Sequence, residues 1–295
     1  MSSNQLVRAL ALSCHPVPSV AVTTMSAGLA ALADLPTGRG VLVTAAVFTG
    51  QLSIGWSNDY LDAERDRAVH RSDKPVAAGA LAPRVAVTAA VIALFLTLVL
   101  SAALGWGGGS AALVTVLCGW AYNLGLKSTV LSWLPYAIAF GMLPAVTTLS
   151  ASPSRWPAAW ALIAGALIGV AAHLANVLPD LREDVANGVR GLPHRLGAKA
   201  TALTAAGILL TGSAVILFGP GGQPGLWRWT GFIVAVLVAG AAATIAYRDP
   251  SSRMFCLTTI LIVALNLVFF ALSGTRLWRA RTGSPRLADV PAKQA

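Results

Sequence analysis

Charge is scarce in this chain: 11% of its 295 residues are Asp, Glu, Lys or Arg, against about 25% in an ordinary soluble domain. With 56% hydrophobic residues and a mean hydropathy of +0.71, that excludes a soluble globule and leaves an integral membrane protein. Cysteine is also sparse. Cys14, Cys118 and Cys256 lie far apart with no CxxC or Cys/His pairing, which excludes a disulfide framework or zinc site and leaves packing residues. Acid is scarcer than base, 11 residues against 21. The basic excess does not point to nucleic acid, because Lys and Arg fall between apolar segments rather than along one face. The first sixteen residues hold one Arg and a weak apolar run without a small-residue cleavage site, so no cleaved signal peptide is expected.

What the chain has in abundance is apolar sequence. Breakers divide it into about nine spans, near 17–34, 41–60, 84–105, 109–125, 131–149, 157–178, 200–218, 229–247 and 254–273. The expected fold is all-α: a polytopic membrane protein of about nine transmembrane helices in one bundle, a single domain over 1–295, with a flexible tail from about 275. Four connections are short turns, such as Leu35-Pro36-Thr37-Gly38. Two others, near 61–83 and 179–199, are long and polar and carry Arg65, Arg67, Arg71 and Lys74, and Arg182, Arg190, Arg195 and Lys199. Loops on their side hold 13 Lys and Arg with the N-terminus, whereas the opposite loops hold Arg39, Arg155 and Arg228. The positive-inside rule therefore places both polar loops in the cytoplasm of a multi-pass cell-membrane protein. The basic C-terminal tail departs from that pattern.

The few acids are concentrated. Asn58, Asp62 and Asp66 recur 118 residues later as Asn176, Asp180 and Asp184, and with Asp59, Glu64 and Glu183 these stretches hold seven of the 11 acids. Positions i, i+4 and i+8 share one helix face. Each triplet is thus expected to form a ladder at the end of span two or six, although Pro179 would kink the second or limit it to a helical restart. Stacked carboxylates near a membrane need compensation. A hard divalent cation supplies it: Mg²⁺ takes oxygen ligands, keeps waters, and bridges a few carboxylates to phosphates. Salt bridging on a solvated rim is the plainer alternative, but it requires neither matched spacing nor paired Asn. A transporter's cation site is a third reading. It would place acids near the membrane midplane, and spans three to five contain none.

Asn58-Asp59-Tyr60-Leu61-Asp62-Ala63-Glu64-Arg65-Asp66, followed by Asp73-Lys74-Pro75-Val76-Ala77-Ala78-Gly79, resembles the first aspartate-rich motif of the UbiA superfamily of intramembrane prenyltransferases. Asp180 to Asp184, with Gly188, Leu192-Pro193 and Leu196-Gly197, resembles the second. The resemblance runs through spans two to seven. It implies a nine-helix bundle around a central lipid-open cavity, and Mg²⁺ with a prenyl diphosphate donor held by Asn58, Asp62, Asp66, Asn176, Asp180 and Asp184, with Asp59 assisting. The catalytic carboxylates would be Asp62, Asp66, Asp180 and Asp184. Tyr122-Asn123-Leu124-Gly125-Leu126-Lys127 resembles the family's Tyr-plus-base segment, so Lys127, with Lys74 and Arg67, would contact the diphosphate.

Many members place a Tyr or Lys just before the second motif's first Asp, where this chain has His173-Leu174-Ala175-Asn176. Breaking the allylic C–O bond leaves a cation that Trp56, Trp120, Tyr122, Trp133 and Tyr136 could shield, unless they form an interfacial aromatic belt. Trp56, Trp120, Tyr122 and His173 are the candidate prenyl or acceptor pocket. His15, His70 and His194 are read as loop residues. Three acceptor outcomes remain open: an aromatic or quinone precursor, a phosphosugar, or none, as in a terpene cyclase.

Overall fold

A computed structural model of the chain describes residues 2–186, 188–248, 254–272 and 277–278. The described residues form α1 (Ser3–Ser13), α2 (Pro16–Leu32), α3 (Thr37–Ala68), α4 (Pro83–Ala103), α5 (Trp106–Leu124), α6 (Leu134–Leu149), α7 (Ala159–Val177), α8 (Leu181–Ala186), α9 (Leu192–Leu196), α10 (Ala198–Phe218), α11 (Leu226–Arg248) and α12 (Met254–Leu272), and no strand. Each of the nine expected spans has its helix: α2 to α7 and α10 to α12. Among the described residues, five helices are long and apolar enough by themselves to cross a bilayer, and α1 with α2, bent by 68°, would make a sixth. α6 is a shorter apolar helix of 16 residues. Apart from Leu277 and Trp278, the tail expected to be flexible lies outside the described residues, as does the side chain of Cys256. Cys14, which is buried, and Cys118, which is half-buried, are free thiols.

Helix starts follow local chemistry. Pro16, Pro83 and Pro135 stand in first turns, where the missing N–H is no loss. Ser2 and Gln5 form a reciprocal capping box on α1. This helix lies in a stretch whose apolar run is too weak to announce a span. It exposes Val7 and Leu12 and turns sharply at His15, where φ is 54°. Gly55 of α3 permits the corner to dock, since a Cβ there would lie 2.3 Å from the Cys14 carbonyl oxygen.

Neighbouring helices pack through small residues. Ala46, Ala86, Ala90, Ala145, Ala171, Ala175 and Ala235 are fully buried, and such side chains let helix backbones approach where lipid provides no hydrophobic drive. The periphery is the reverse: Val91, Ile92 and Phe95 on α4 are each more than half exposed, as a lipid-facing surface requires. At the base-poor end, Arg39 donates to the carbonyls of Ser150 (2.9 Å), Ala103 (3.1 Å) and Leu104 (2.6 Å). That one guanidinium satisfies the C-terminal ends of α4 and α6. Within the bundle an apolar cavity of about 60 Å³ is lined by Met25, Phe140, Trp160, Ile216, Val263 and Asn266, among others, from α2, α6, α7, α10 and α12.

Candidate active site

α3 continues as far as Ala68, beyond the expected end of its span, so the first acidic stretch is helical throughout. Asn58 Nδ2 donates to Asp62 Oδ2 at 3.0 Å, the direct contact that i, i+4 spacing allows. The same nitrogen reaches Asn123 Oδ1 at 3.2 Å. Asn123, at the end of α5, is anchored on α3 by bonds of 2.9 Å to the Ile54 carbonyl and Ser57 Oγ. One turn further, Lys127 Nζ lies 2.5 Å from Asp62 Oδ2 and bonds its other oxygen as well. Arg65 also pairs with Asp62. Burial pushes the Lys127 ammonium below its usual range, and the Asp62 charge and hydrogen bond oppose that shift. Asp66 carries a buried Oδ2 that receives no hydrogen bond. Lys74 is close enough to act electrostatically on Asp66 and Asp180, and its Nζ lies 3.1 Å from His15 Nε2.

Three residues expected in this half make contacts elsewhere or stand apart from the ladder. Asp59 is turned away from the ladder by about 100°, the rotation of one helical residue. Its Oδ2 accepts Ser13 Oγ at 2.5 Å and the Val76 N–H at 3.2 Å, so it ties α1 and the following loop to α3 rather than joining the acidic face. Trp56 donates its indole N–H to the Leu10 carbonyl at 2.9 Å, which docks α1 on α3. Arg67 is exposed, and Arg71 stands in the cleft.

The second stretch is not one straight ladder. α7 ends at Val177, a 3₁₀ turn covers Leu178–Asp180 around Pro179, and α8 begins at Leu181. The missing Pro179 N–H breaks the α ladder and forces the restart. Asn176, exposed on the last turn of α7, Asp180 on the 3₁₀ turn and Asp184 on α8 therefore sit on three successive pieces. Asp184 pairs with His194 Nε2 at 3.1 Å.

Arg71 joins the halves. It grips Asp73 through two bonds of 2.9 Å, and its Nη1 lies 3.0 Å from Glu183 and 3.4 Å from Asp180. Its hydrogen bonds to Asp73 raise the Arg71 pKa further above the ordinary range, and Arg71 lowers Asp73 to about 2. Val69, His70, Arg71, Ser72 and Asp73 face Pro179, Asp180 and Glu183 across a polar cleft of about 310 Å³.

Beneath the carboxylates lies an aromatic box. Tyr122 meets Tyr136 edge-on at 5.2 Å and His173 at 5.7 Å, and Tyr136 lies 4.9 Å from His173. Tyr122 is close enough to feel both Asp62 and Asp184. Trp120 donates to Ser53 Oγ at 3.1 Å, at the seam of α5 and α3. His15, Asn123, Ser132 and His194 also bond the expected site residues. Their partners lie on other elements, so no local spacing marks them.

Among the described residues no three His, Cys, Asp or Glu side chains form a ready metal cage. The donors nevertheless suit Mg²⁺, which commonly uses one or two carboxylates and completes its shell with water and phosphate oxygens. Asp66 Oδ2 is a hard oxygen, buried and without a donor.

The described residues thus form an all-helical bundle in which Arg71, just beyond the end of α3, pairs with acids of the second stretch. The chain belongs to the UbiA prenyltransferase family, which it matches over residues 19–263. It is 25% identical to digeranylgeranylglyceryl phosphate synthase of Pyrococcus horikoshii over 175 residues, 58% of this chain and 61% of that relative. The fold is similar to that of a UbiA homolog from Archaeoglobus fulgidus solved with GPP and Mg²⁺, with a TM-score of 0.69 at 15% identity, covering 90% of this chain and 99% of that one. It is also similar to the apo UbiA homolog from Aeropyrum pernix K1, with a TM-score of 0.71 at 16% identity over 86% and 97% of the two chains.

Proposed function

We propose that the protein transfers a prenyl group from a prenyl diphosphate to an acceptor within the membrane, using Mg²⁺. One observation supports this reading: Arg71, in the loop that leaves the first acidic stretch, is ion-paired with Asp180 and Glu183 of the second, and Arg71 and Lys74 act electrostatically on Asp66 of the first as well as on Asp180. Charge-compensated acids beside available base are what a polyanionic leaving group and its counter-ion need.

Lys127, Lys74 and Arg71 would hold the diphosphate, and Asp62, Asp66, Asp180 and Asp184 would be the metal-side residues, with Asn58 and Asn176 flanking. Bound Mg²⁺ would offset the charge that develops on the leaving diphosphate. The residues themselves contribute position. Lys127 and Arg65 hold Asp62 in one orientation, His194 does the same for Asp184, and the Tyr122 and Tyr136 rings offer π faces to an allylic cation while excluding water. By the positive-inside rule the base-rich loops favour the cytoplasmic face for this chemistry.

For the acceptor, the resemblance of the motifs favours an aromatic or quinone-precursor ring. The similarity to a glyceryl phosphate prenyl-transfer enzyme brings a glyceryl phosphate lipid alongside it, and a cyclase would use no acceptor. The test is Mg²⁺-dependent diphosphate release from geranylgeranyl diphosphate. Asp62→Ala and Asp180→Ala should each abolish it, and full release by both variants would end the catalytic reading. Mass spectrometry of products formed with each acceptor separates the three outcomes, a hydrocarbon from donor alone indicating the cyclase.

A further inference from the structure

Ser132 and His173 form a buried pair, 0% and 1% exposed. Ser132 Oγ accepts the Leu192 backbone N–H at 3.0 Å and lies 3.1 Å from His173 Nε2. A serine hydroxyl has one proton to donate and can accept two. Were the imidazole proton on Nε2, that nitrogen would donate to Ser132, and both the serine proton and the Nδ1 lone pair would go unmet. With Ser132 donating to Nε2, the sole unmet group is the Nδ1–H, and Nδ1 is buried without a partner. Buried polar groups are rarely left unsatisfied, so the arrangement with fewer unmet groups assigns the proton to Nδ1. The tautomer is thereby fixed from outside α7, by a hydroxyl held in turn by the Leu192 backbone.

The position of this donor narrows what it can serve. Tyr122 and Tyr136 flank the imidazole, and Tyr122 also feels Asp62 and Asp184. Gly191 brings the Leu192 backbone in close: a Cβ there would lie 2.5 Å from the Lys127 carbonyl oxygen and 2.9 Å from Ser132 Oγ. The segment that fixes the tautomer therefore touches the residue that holds Asp62.

We propose that His173 Nδ1–H is the oxygen-recognising donor of an acceptor subsite walled by Tyr122 and Tyr136. The co-substrate it takes carries a hydrogen-bond-accepting oxygen, a hydroxyl, phenolic or carbonyl group, beside its reacting atom. Ser132 is the positioning residue that keeps His173 a donor. This inference rests on the prenyl-transfer reading and deepens it: a reaction without an external acceptor would bring no oxygen to satisfy the Nδ1–H.

The test uses the full chain in nanodiscs, labelled with ¹⁵N-histidine and loaded with Mg²⁺ and an unreactive thiodiphosphate analogue of the donor. Loss of a resonance in His173→Asn assigns His173. It should show the Nδ1–H tautomer, and Ser132→Ala should give a tautomer mixture. Two probes are added separately, 4-hydroxybenzoate and a glyceryl phosphate ether lipid, and one of them should move the Nδ1 resonance. In turnover, His173→Phe should raise the KM of that probe about tenfold, the loss of one hydrogen bond, and should raise it more than the KM of geranylgeranyl diphosphate. His173→Asn, whose amide N–H stands near the Nδ1 position, should recover most of the loss. An Nε2–H tautomer, no response to either probe, or an equal change in both KM values would overturn the proposal. The parent reading fails on a different result, diphosphate release surviving in Asp62→Ala and Asp180→Ala, so the two failures are distinguishable.

Discussion

Lys127 occupies the position on Asp62 that a divalent cation would need, and replacing it separates structural from functional charge. The two side chains are 9% and 13% exposed. Removing one partner of a buried pair leaves an uncompensated charge and commonly costs about 3–5 kcal/mol. Asp62 keeps Arg65 and Asn58 as neighbours, so Lys127→Met should destabilise the fold by about 3 kcal/mol, the low end of that range. The double variant Asp62→Asn/Lys127→Met should recover most of this, because no charge is then stranded. Equilibrium unfolding in mixed detergent, followed by fluorescence of the nine tryptophans, measures both. Mg²⁺ adds a second arm. A ligand at a hundredfold its Kd stabilises the native state by about 2.7 kcal/mol. In the wild type that gain is reduced by the work of displacing Lys127, whereas in Lys127→Met the carboxylate is ready. Stabilisation by Mg²⁺ should therefore be larger in Lys127→Met than in the wild type and smallest in the double variant, which loses one of its carboxylate ligands. Equal stabilisation of all three proteins would show that Asp62 is no part of the cation site, and an undiminished stability of Lys127→Met would refute the buried-pair argument.

Gly55→Val would push a branched side chain into the Cys14 carbonyl, which lies 2.3 Å from the first added carbon. Overpacking of this kind costs about 1–3 kcal/mol, and limited proteolysis should find the α1 segment cut faster than in the wild type. Arg39→Met should cost about 2 kcal/mol, because three carbonyl oxygens at the ends of α4 and α6 lose their donor. Activity per folded molecule should be unchanged, since this end of the bundle lies opposite the cleft. Asp73 titrates at about 2 in the folded chain because of Arg71, below an unfolded value of about 3.9. Its stabilising contribution is complete above the unfolded value and is lost as pH falls from about 4 to about 2. Asp73 is 48% exposed, so solvent screens the effect to a small one. Asp73→Asn should flatten the acid limb of an unfolding profile slightly, and a steeper limb would contradict the assignment.

The parts of this molecule legible in its sequence are those that depend on near neighbours along the chain. A bilayer asks for long apolar runs, and each of the nine runs has its helix. α1 was not visible in the same way because a surface helix of 11 residues needs no such run. The Asn58, Asp62, Asp66 face follows from helical geometry alone, and the bond from Asn58 to Asp62 realises it. Asp59 shows the limit of sequence adjacency: one residue along a helix is a large rotation, and it carries this carboxylate from the cleft to Ser13. Between Arg67 and Arg71, composition offers no choice. The backbone makes it, since the Arg71 N–H bonds the Asp66 carbonyl at 3.0 Å as the chain leaves α3, and that turn brings the guanidinium to the second stretch. Arg71 on Asp180, His194 on Asp184, Lys127 on Asp62 and Ser132 on His173 are all decided by which loop reaches which helix end. Those contacts also bear on the proposed catalytic reading and its alternative, a plain salt-bridged rim. A rim needs only charge neutrality at each acid, and Asp62 and Asp180 meet that requirement. Asp66 keeps one buried oxygen with no donor although Lys74, Arg71 and Arg65 are all close enough to act on it. Asp59 Oδ1 is likewise buried without a donor, so what sets Asp66 apart as a proposed cation ligand is its company: the Lys74 and Arg71 charges that act on it act on Asp180 of the second stretch too.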